Sequence, residues 1–191
     1  MLMSRTRRAF VMASLEQYLA LLLNFAMVAA ISRILTPAEI GPAVIGMGIG
    51  VIVFSLREFA TAEFLIQLPH ISGRDVRTAS TILIAATLLL AALLIAASPQ
   101  LARYYGEPGM GAFLRLMAAA ALVETLGLPA LALMRRDMAF GTIARIRTAG
   151  MALTVATTIA LALLGFGFMS YAWGALSGGV LGTGLSWLAR R

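Results

Sequence analysis

Between Arg147 and Arg190 the chain runs for 42 residues, Thr148 to Ala189, without one charged side chain. As a single helix this stretch would reach roughly 63 Å at 1.5 Å per residue, about twice the hydrocarbon thickness of a bilayer, so it must fold back on itself. Gly165, Phe166 and Gly167 mark the expected turn. A membrane hairpin is the predicted result, and the rest of the chain repeats the theme. Hydrophobic residues fill 61% of 191 positions and charged ones only 12%, against about 25% charged in soluble domains. So few charges could not cover a water-facing surface, and the expected class is an all-α polytopic membrane protein.

Net charge is +7, and all 15 basic residues are arginine. A high isoelectric point alone would suggest nucleic acid, but the arginines cluster at the ends of apolar segments, as cytoplasmic loops collect them, so no nucleic-acid partner is expected. There is no cysteine and the one histidine is His70, which excludes a thiolate metal site and a histidine cluster. No metal and no cofactor are expected. Arg5, Arg7 and Arg8 resemble the basic start of a signal peptide, but the apolar run from Ala9 to Ser32 is too long for one and is expected to stay as a first span.

Six spans fit the apolar windows, at about 9–34, 38–68, 78–97, 111–134, 148–164 and 168–188, forming one six-helix lobe over 1–191. Thr36-Pro37-Ala38-Glu39 predicts a turn and a helix cap, with Pro37 suited to the first helical turn. Pro69 to Gly73 breaks the second span, Ser98-Pro99 closes the third, and Pro129 predicts a kink in the fourth.

With a cytoplasmic N-terminus, Arg5, Arg7, Arg8, Arg74, Arg77, Arg135, Arg136, Arg145, Arg147, Arg190 and Arg191 fall on the inner side, and only Arg33, Arg103 and Arg115 on the outer. That asymmetry predicts both termini in the cytoplasm. Trp173 and Trp187, near opposite ends of the sixth span, fit interfacial anchors. Arg135 to Arg147 alternates arginine with Met138, Phe140, Ile143 and Ile146. Two readings fit it: an amphipathic helix on anionic membrane lipid, or a cytoplasmic extension of the fifth span.

Glu16, Arg57, Glu58 and Glu124 stand inside apolar segments, where a charge costs about 2.5 to 3.5 kcal/mol even on the lenient insertion scale. If the first hairpin turns near Thr36, Glu16 and Arg57 are about equally far from the apex, and a salt bridge between them is geometrically allowed. Such a bridge fits either a cavity role or a structural one that fixes helix register. Glu58, rotated about 100° from Arg57, suits a titrating carboxylate, while Glu124 precedes Pro129 by five residues and suits a cavity opened by a kink. Gln17 and Asn24 add hydrogen-bonding capacity to the first span, for substrate or as glue between helices. Gly174, Gly178 and Gly182, and Gly46 with Gly50, recur every four residues and predict close helix packing. No nucleophile elbow, carboxylate pair or P-loop occurs, so the chain is not expected to be an enzyme or to bind a nucleotide.

Ile31 to Gly41, reading ISRILTPAEIG, resembles the R-L-L-T-P-x-E-[FI]-G signature of bacterial polysaccharide flippases, within the multidrug/oligosaccharidyl-lipid/polysaccharide exporter superfamily. Leu56-Arg57-Glu58-Phe59 with Leu65-Ile66-Gln67 is similar to the family's L-R-D-F-G...L-I-Q pattern, with Ala60 in place of its glycine. Arg103-Tyr104-Tyr105-Gly106-Glu107-Pro108 resembles its R-F-F-x-x-P loop, Arg135 to Phe140 its x-R-[DE]-x-x-F loop, and Leu163 to Gly167 its fifth-span end. The family resembles two bundles of six or seven helices, so this chain looks like the N-terminal lobe alone.

The resemblance implies movement of a polyprenyl-pyrophosphate-linked oligosaccharide across the bacterial inner membrane, in polysaccharide or lipopolysaccharide synthesis. Its implied partners are that lipid, glycan assembly enzymes, and a second six-helix lobe or a second copy of the chain. Arg57, with Asn24 and Gln17, would meet the substrate; Glu16, Glu58 or Glu124 would couple ions or form salt bridges. Two alternatives are a lobe of a multidrug cation exporter and a non-transporting remnant or accessory membrane protein.

Overall fold

The computed structural model describes residues 2–56 and 73–190. Six helices and no strand occur among them: α1 Leu2–Ile34, α2 Pro37–Ser55, α3 Gly73–Tyr105, α4 Met110–Arg136, α5 Phe140–Leu163 and α6 Met169–Leu188. The stretches Ser14–Ile34, Pro37–Ser55, Ser80–Tyr105, Met110–Arg136 and Phe140–Leu163 are long and apolar enough to cross a bilayer. The 20 residues of α6 also span about 30 Å. Its glycines and serines make it less apolar, but it lies between α4 and α5, which cover it in place of lipid. The protein is a multi-pass membrane protein.

Hydrocarbon offers no water to unpaired backbone groups, so the turns must satisfy their own ends. Before α2, the Thr36 backbone N–H and hydroxyl donate to Glu39 Oε2 at 2.9 and 2.8 Å, the cap expected from that tetrapeptide. α5 closes with Phe166 N–H on the Leu161 carbonyl and Gly165 N–H on Ala162, a Schellman turn with Gly165 at φ +84°. α3 ends the same way at Gly106, and α4 does so at Met138, where φ is +56° despite a side chain.

Two boundaries differ from expectation. Ser98-Pro99 does not end the third span, which continues to Tyr105. Pro99 has no N–H for the Ile95 carbonyl, but the Ser98 hydroxyl donates to that carbonyl at 2.8 Å and replaces the lost bond. The fifth helix begins at Phe140 rather than near 148, so 140–147 is a helical extension of that span, and the α4–α5 turn is confined to 137–139.

Helix neighbours differ more. α1 packs along α5 and not in an extensive hairpin with α2. Glu16 meets Arg147 near one end, while Ile31 and Leu35 cluster with Ala162 near the other. Both Glu16 with Arg147 and Ile31 with Ala162 are offset by 131 residues, so α1 and α5 run parallel. α2 lies on α4, with Gly46 against the Phe113 ring and Gly50 against Met117. Phe54, Ala91, Leu94, Met110, Phe113, Leu114, Ala118, Ala121 and Ala172 form the main core where α2, α3, α4 and α6 meet. The resulting up-and-down threading puts Arg33, Arg103 and Arg115 toward the end with the Thr36, Gly106 and Gly165 turns. Arg5, Arg7, Arg8, Arg74, Arg77, Arg135, Arg136, Arg145, Arg147 and Arg190 lie toward the opposite end.

α6 makes the closest approach in the bundle. Gly174 faces the Thr158 hydroxyl, and Gly178 faces the Thr154 hydroxyl and the Gly150 carbonyl, with no room for a Cβ at either glycine. Close packing is thus the observed use of this stripe: Gly182 also passes close to Gly150, whose added Cβ would come 3.8 Å from the Gly182 Cα, although the space where Gly182 would carry a Cβ of its own is open. Replacing Gly178 with Val is expected to destabilise the purified protein by about 2 kcal/mol or more, because backbone and not a flexible side chain must yield. Thermal unfolding in detergent measures this, and an unchanged midpoint would refute the contact.

Candidate functional site

Where α4 and α5 diverge around α6, the structure encloses a partly open cavity of about 810 Å³. Glu124, Leu128, Leu131 and Arg135 supply the α4 wall at spacings of four, three and four, which keeps them on one helix face. α5 contributes Ile146, Arg147, Gly150, Met151 and Thr154. α6 forms the floor with Ala175, Gly178, Gly179, Gly182, Thr183 and Ser186, and Gly127 of α4 and Leu83 of α3 complete the lining among the described residues. Of these floor glycines it is Gly182 that leaves space a larger side chain would fill, since an added Cβ there meets nothing within 4 Å.

Several polar groups here are already committed. Thr183 Oγ1 donates to the Val123 carbonyl at 2.9 Å, Thr154 Oγ1 to Gly150 at 3.1 Å and Ser186 Oγ to Gly182 at 2.7 Å. A hydroxyl has one proton, so these offer a ligand only acceptor lone pairs. The guanidinium groups are the strong donors. Arg147 Nη1 lies 3.5 Å from Glu16 Oε1, a long ion pair with the arginine side chain 52% exposed and the glutamate 19%. At that exposure and distance the pair contributes little stability, and most of the Arg147 donor fork stays available. The half-buried Arg135 guanidinium makes no ion pair or hydrogen bond with a described residue. Arg135 and Arg147 both sit toward the arginine-rich end, whereas Glu124 is three helical turns from Arg135 along α4, about 16 Å at helical rise.

The sequence-derived site is only partly assembled here. Glu124 lines the cavity. Glu16 borders it through Arg147, and its observed partner is that arginine. Arg57 and Glu58 lie outside the described residues, and so does the expected Glu16–Arg57 bridge; the hairpin packing of α1 on α2 that motivated it is replaced by packing of α1 on α5. Gln17 and Asn24 are exposed on α1 and are not among the cavity-lining residues. Sequence reasoning missed Arg135 and Arg147 as cavity residues, because arginines flanking a span ordinarily serve as topology anchors. The signal was their helical spacing: Arg135 from Glu124, and Arg147 from Gly150 and Thr154.

Residues 30–191 match the family model described as polysaccharide biosynthesis protein. The chain belongs to that family. This agrees with the resemblance carried by the Ile31–Gly41 stretch and the loops that follow it, and gives the chain a role in polysaccharide biosynthesis or export. No curated protein and no solved structure matches the chain.

The cavity is testable chemically because the native chain has no cysteine. A cysteine at Gly182, where an added Cβ meets nothing within 4 Å, is expected to fold and to react with a small water-soluble maleimide in permeabilised membranes. An unreactive, folded Gly182→Cys protein would show that water does not reach this space.

Proposed function

We propose that the chain moves a polyprenyl-pyrophosphate-linked oligosaccharide from the cytoplasmic to the outer leaflet of the bacterial inner membrane, as a carrier and not an enzyme. The observation that carries this reading is the pair of arginines, Arg135 and Arg147, on facing walls of a cavity in a member of a polysaccharide biosynthesis family. A pyrophosphate offers several anionic oxygens to guanidinium forks, and charge-assisted bonds of this kind are stronger than neutral ones. The sugar hydroxyls would donate to the lone pairs left on Thr154 and Thr183, while the polyprenyl tail stays in lipid. A volume of 810 Å³ falls within the range of about 300–1,000 Å³ typical of small-molecule sites, which suits the pyrophosphate with its first sugars rather than a whole glycan.

In this reading the arginine-rich end faces the cytoplasm, both termini included, where glycan assembly enzymes release the substrate. Tyr104, 82% exposed near the opposite turns, and exposed Asp137 at the α4–α5 turn mark the two sides. A cysteine at Tyr104 is expected to react with a membrane-impermeant reagent in intact cells, and one at Asp137 only after permeabilisation. The reverse pattern would invert the orientation.

Removing one charge-assisted contact from the substrate costs about 1.5 to 3 kcal/mol, so Arg135→Ala and Arg147→Ala should each lower glycan export about tenfold or more at unchanged protein level. Arg→Lys at either position should retain part of the activity, since the charge remains but the fork is lost. Full export by the double alanine variant would end this assignment. A cation exporter draws support from Glu124 in the same cavity; it predicts that the arginine variants keep or gain drug resistance while Glu124→Gln loses it.

A further inference from the structure

Of the carboxylates among the described residues, Glu16 alone is ion-paired with an arginine that lines the cavity. Its side chain is only 19% exposed, yet its carboxylate has no second ion pair or hydrogen bond with a described residue. The one contact is long, 3.5 Å from Oε1 to Arg147 Nη1. A carboxylate withdrawn from water is normally held by short, paired bonds. Here a largely covered anion is set beside a cavity arginine without being bound tightly to it.

The fold lets that contact break without freeing the helix. Ile31 and Leu35, which cluster with Ala162, begin about 22 Å beyond Glu16 at helical rise, so α1 keeps its apolar anchor on α5 when the carboxylate moves away. Arg147 is 52% exposed, and an anion in the cavity can approach it while Glu16 is still in place. One guanidinium cannot neutralise both: two anions on the same cation repel each other, and the better ligand displaces the other.

Resting on the reading in which Arg135 and Arg147 receive a pyrophosphate, we infer that Glu16 is a built-in competitor of that headgroup for Arg147. The incoming pyrophosphate replaces the Glu16 carboxylate, and the carboxylate takes the arginine back as the headgroup leaves. Arg147 is then paired before, during and after passage, so its charge is never left uncompensated. The exchange also weakens binding. A translocation site must hold its ligand firmly enough to load and loosely enough to unload, and Glu16 supplies the second property as a positioning residue that acts through Arg147.

Calorimetric titration of the purified full chain in detergent tests this, with inorganic pyrophosphate and farnesyl pyrophosphate as probes. Glu16→Gln keeps the side-chain shape and removes the charge, and it should tighten both probes about fivefold; Glu16→Ala should do the same. In an Arg147→Ala background the gain should fall below about twofold, because the competitor has lost the group it competes for. A merely structural role has the opposite sign, since a loosened Arg147 would bind less well. Unchanged or weaker binding by both Glu16 variants would overturn the inference, as would a gain that persists in full without Arg147 or appears with farnesyl pyrophosphate alone. If Arg147→Ala by itself leaves both affinities unchanged, the pyrophosphate reading fails and this inference with it; a loss there without a gain at Glu16 sinks the inference alone.

Discussion

Close backbone approach between α5 and α6 is the contact on which the rest of the bundle depends. Apolar side chains gain little by leaving lipid for one another, so helices in a bilayer are held by van der Waals packing and by hydrogen bonds between them. Gly174 and Gly178 bring α6 onto the Thr158 and Thr154 side chains and the Gly150 carbonyl, without intervening bulk. On its other side α6 reaches α4 with two polar contacts, Thr183 Oγ1 to Val123 at 2.9 Å and Trp187 Nε1 to Leu126 at 3.1 Å. Each internal glycine costs about 1 kcal/mol of helix propensity in water. Here that cost is offset by contact with two neighbouring helices along nearly the whole length of α6.

The same geometry makes the cavity. With α6 wedged between them, α4 and α5 touch little, and the space they leave has a floor of glycine. Stiffness comes from both sides. Buried Thr87 and Thr125 place their hydroxyls 3.2 Å apart between α3 and α4, and α1 runs parallel to α5 through the Ile31, Leu35 and Ala162 cluster. The cavity walls are therefore backed by packed helices, which in the proposed reading holds the two guanidinium groups at a fixed separation.

Much of the fold was legible because hydrocarbon imposes it. Length, absence of charge and the turn residues around Thr36 and Gly165 mark the spans, and glycine spacing marks the α5–α6 contact. Helix continuity through Pro99 was not legible, since it turns on whether the Ser98 hydroxyl folds back onto Ile95 or points away, and both are compatible with the sequence. Nor was the neighbour of α1. Chain connectivity favours a hairpin with α2, whereas side-chain shape at Ile31, Leu35 and Ala162 selects α5, and no local pattern reveals which distant surface is complementary. The site suffered from the same gap. Arg147 reads as a flank of an apolar run until α5 is known to begin at Phe140, which carries Arg147 two turns into a helix and one turn from Gly150.

Charge placement within the cavity separates the possible ligands. Glu16 offsets part of the Arg147 charge at 3.5 Å, while Arg135 has no carboxylate among the described residues to offset it. Glu124, three turns deeper along α4, is too far along the helix axis to neutralise that end directly, and the interaction between charges falls with distance even where the dielectric is low. The arginine-rich end thus presents positive potential and the deeper end a carboxylate. In the proposed reading, an anionic headgroup entering from the arginine side meets attraction first, at Arg135 and Arg147. A cation entering the same way would have to pass both guanidinium groups, which is why the proposed reading takes an anionic ligand.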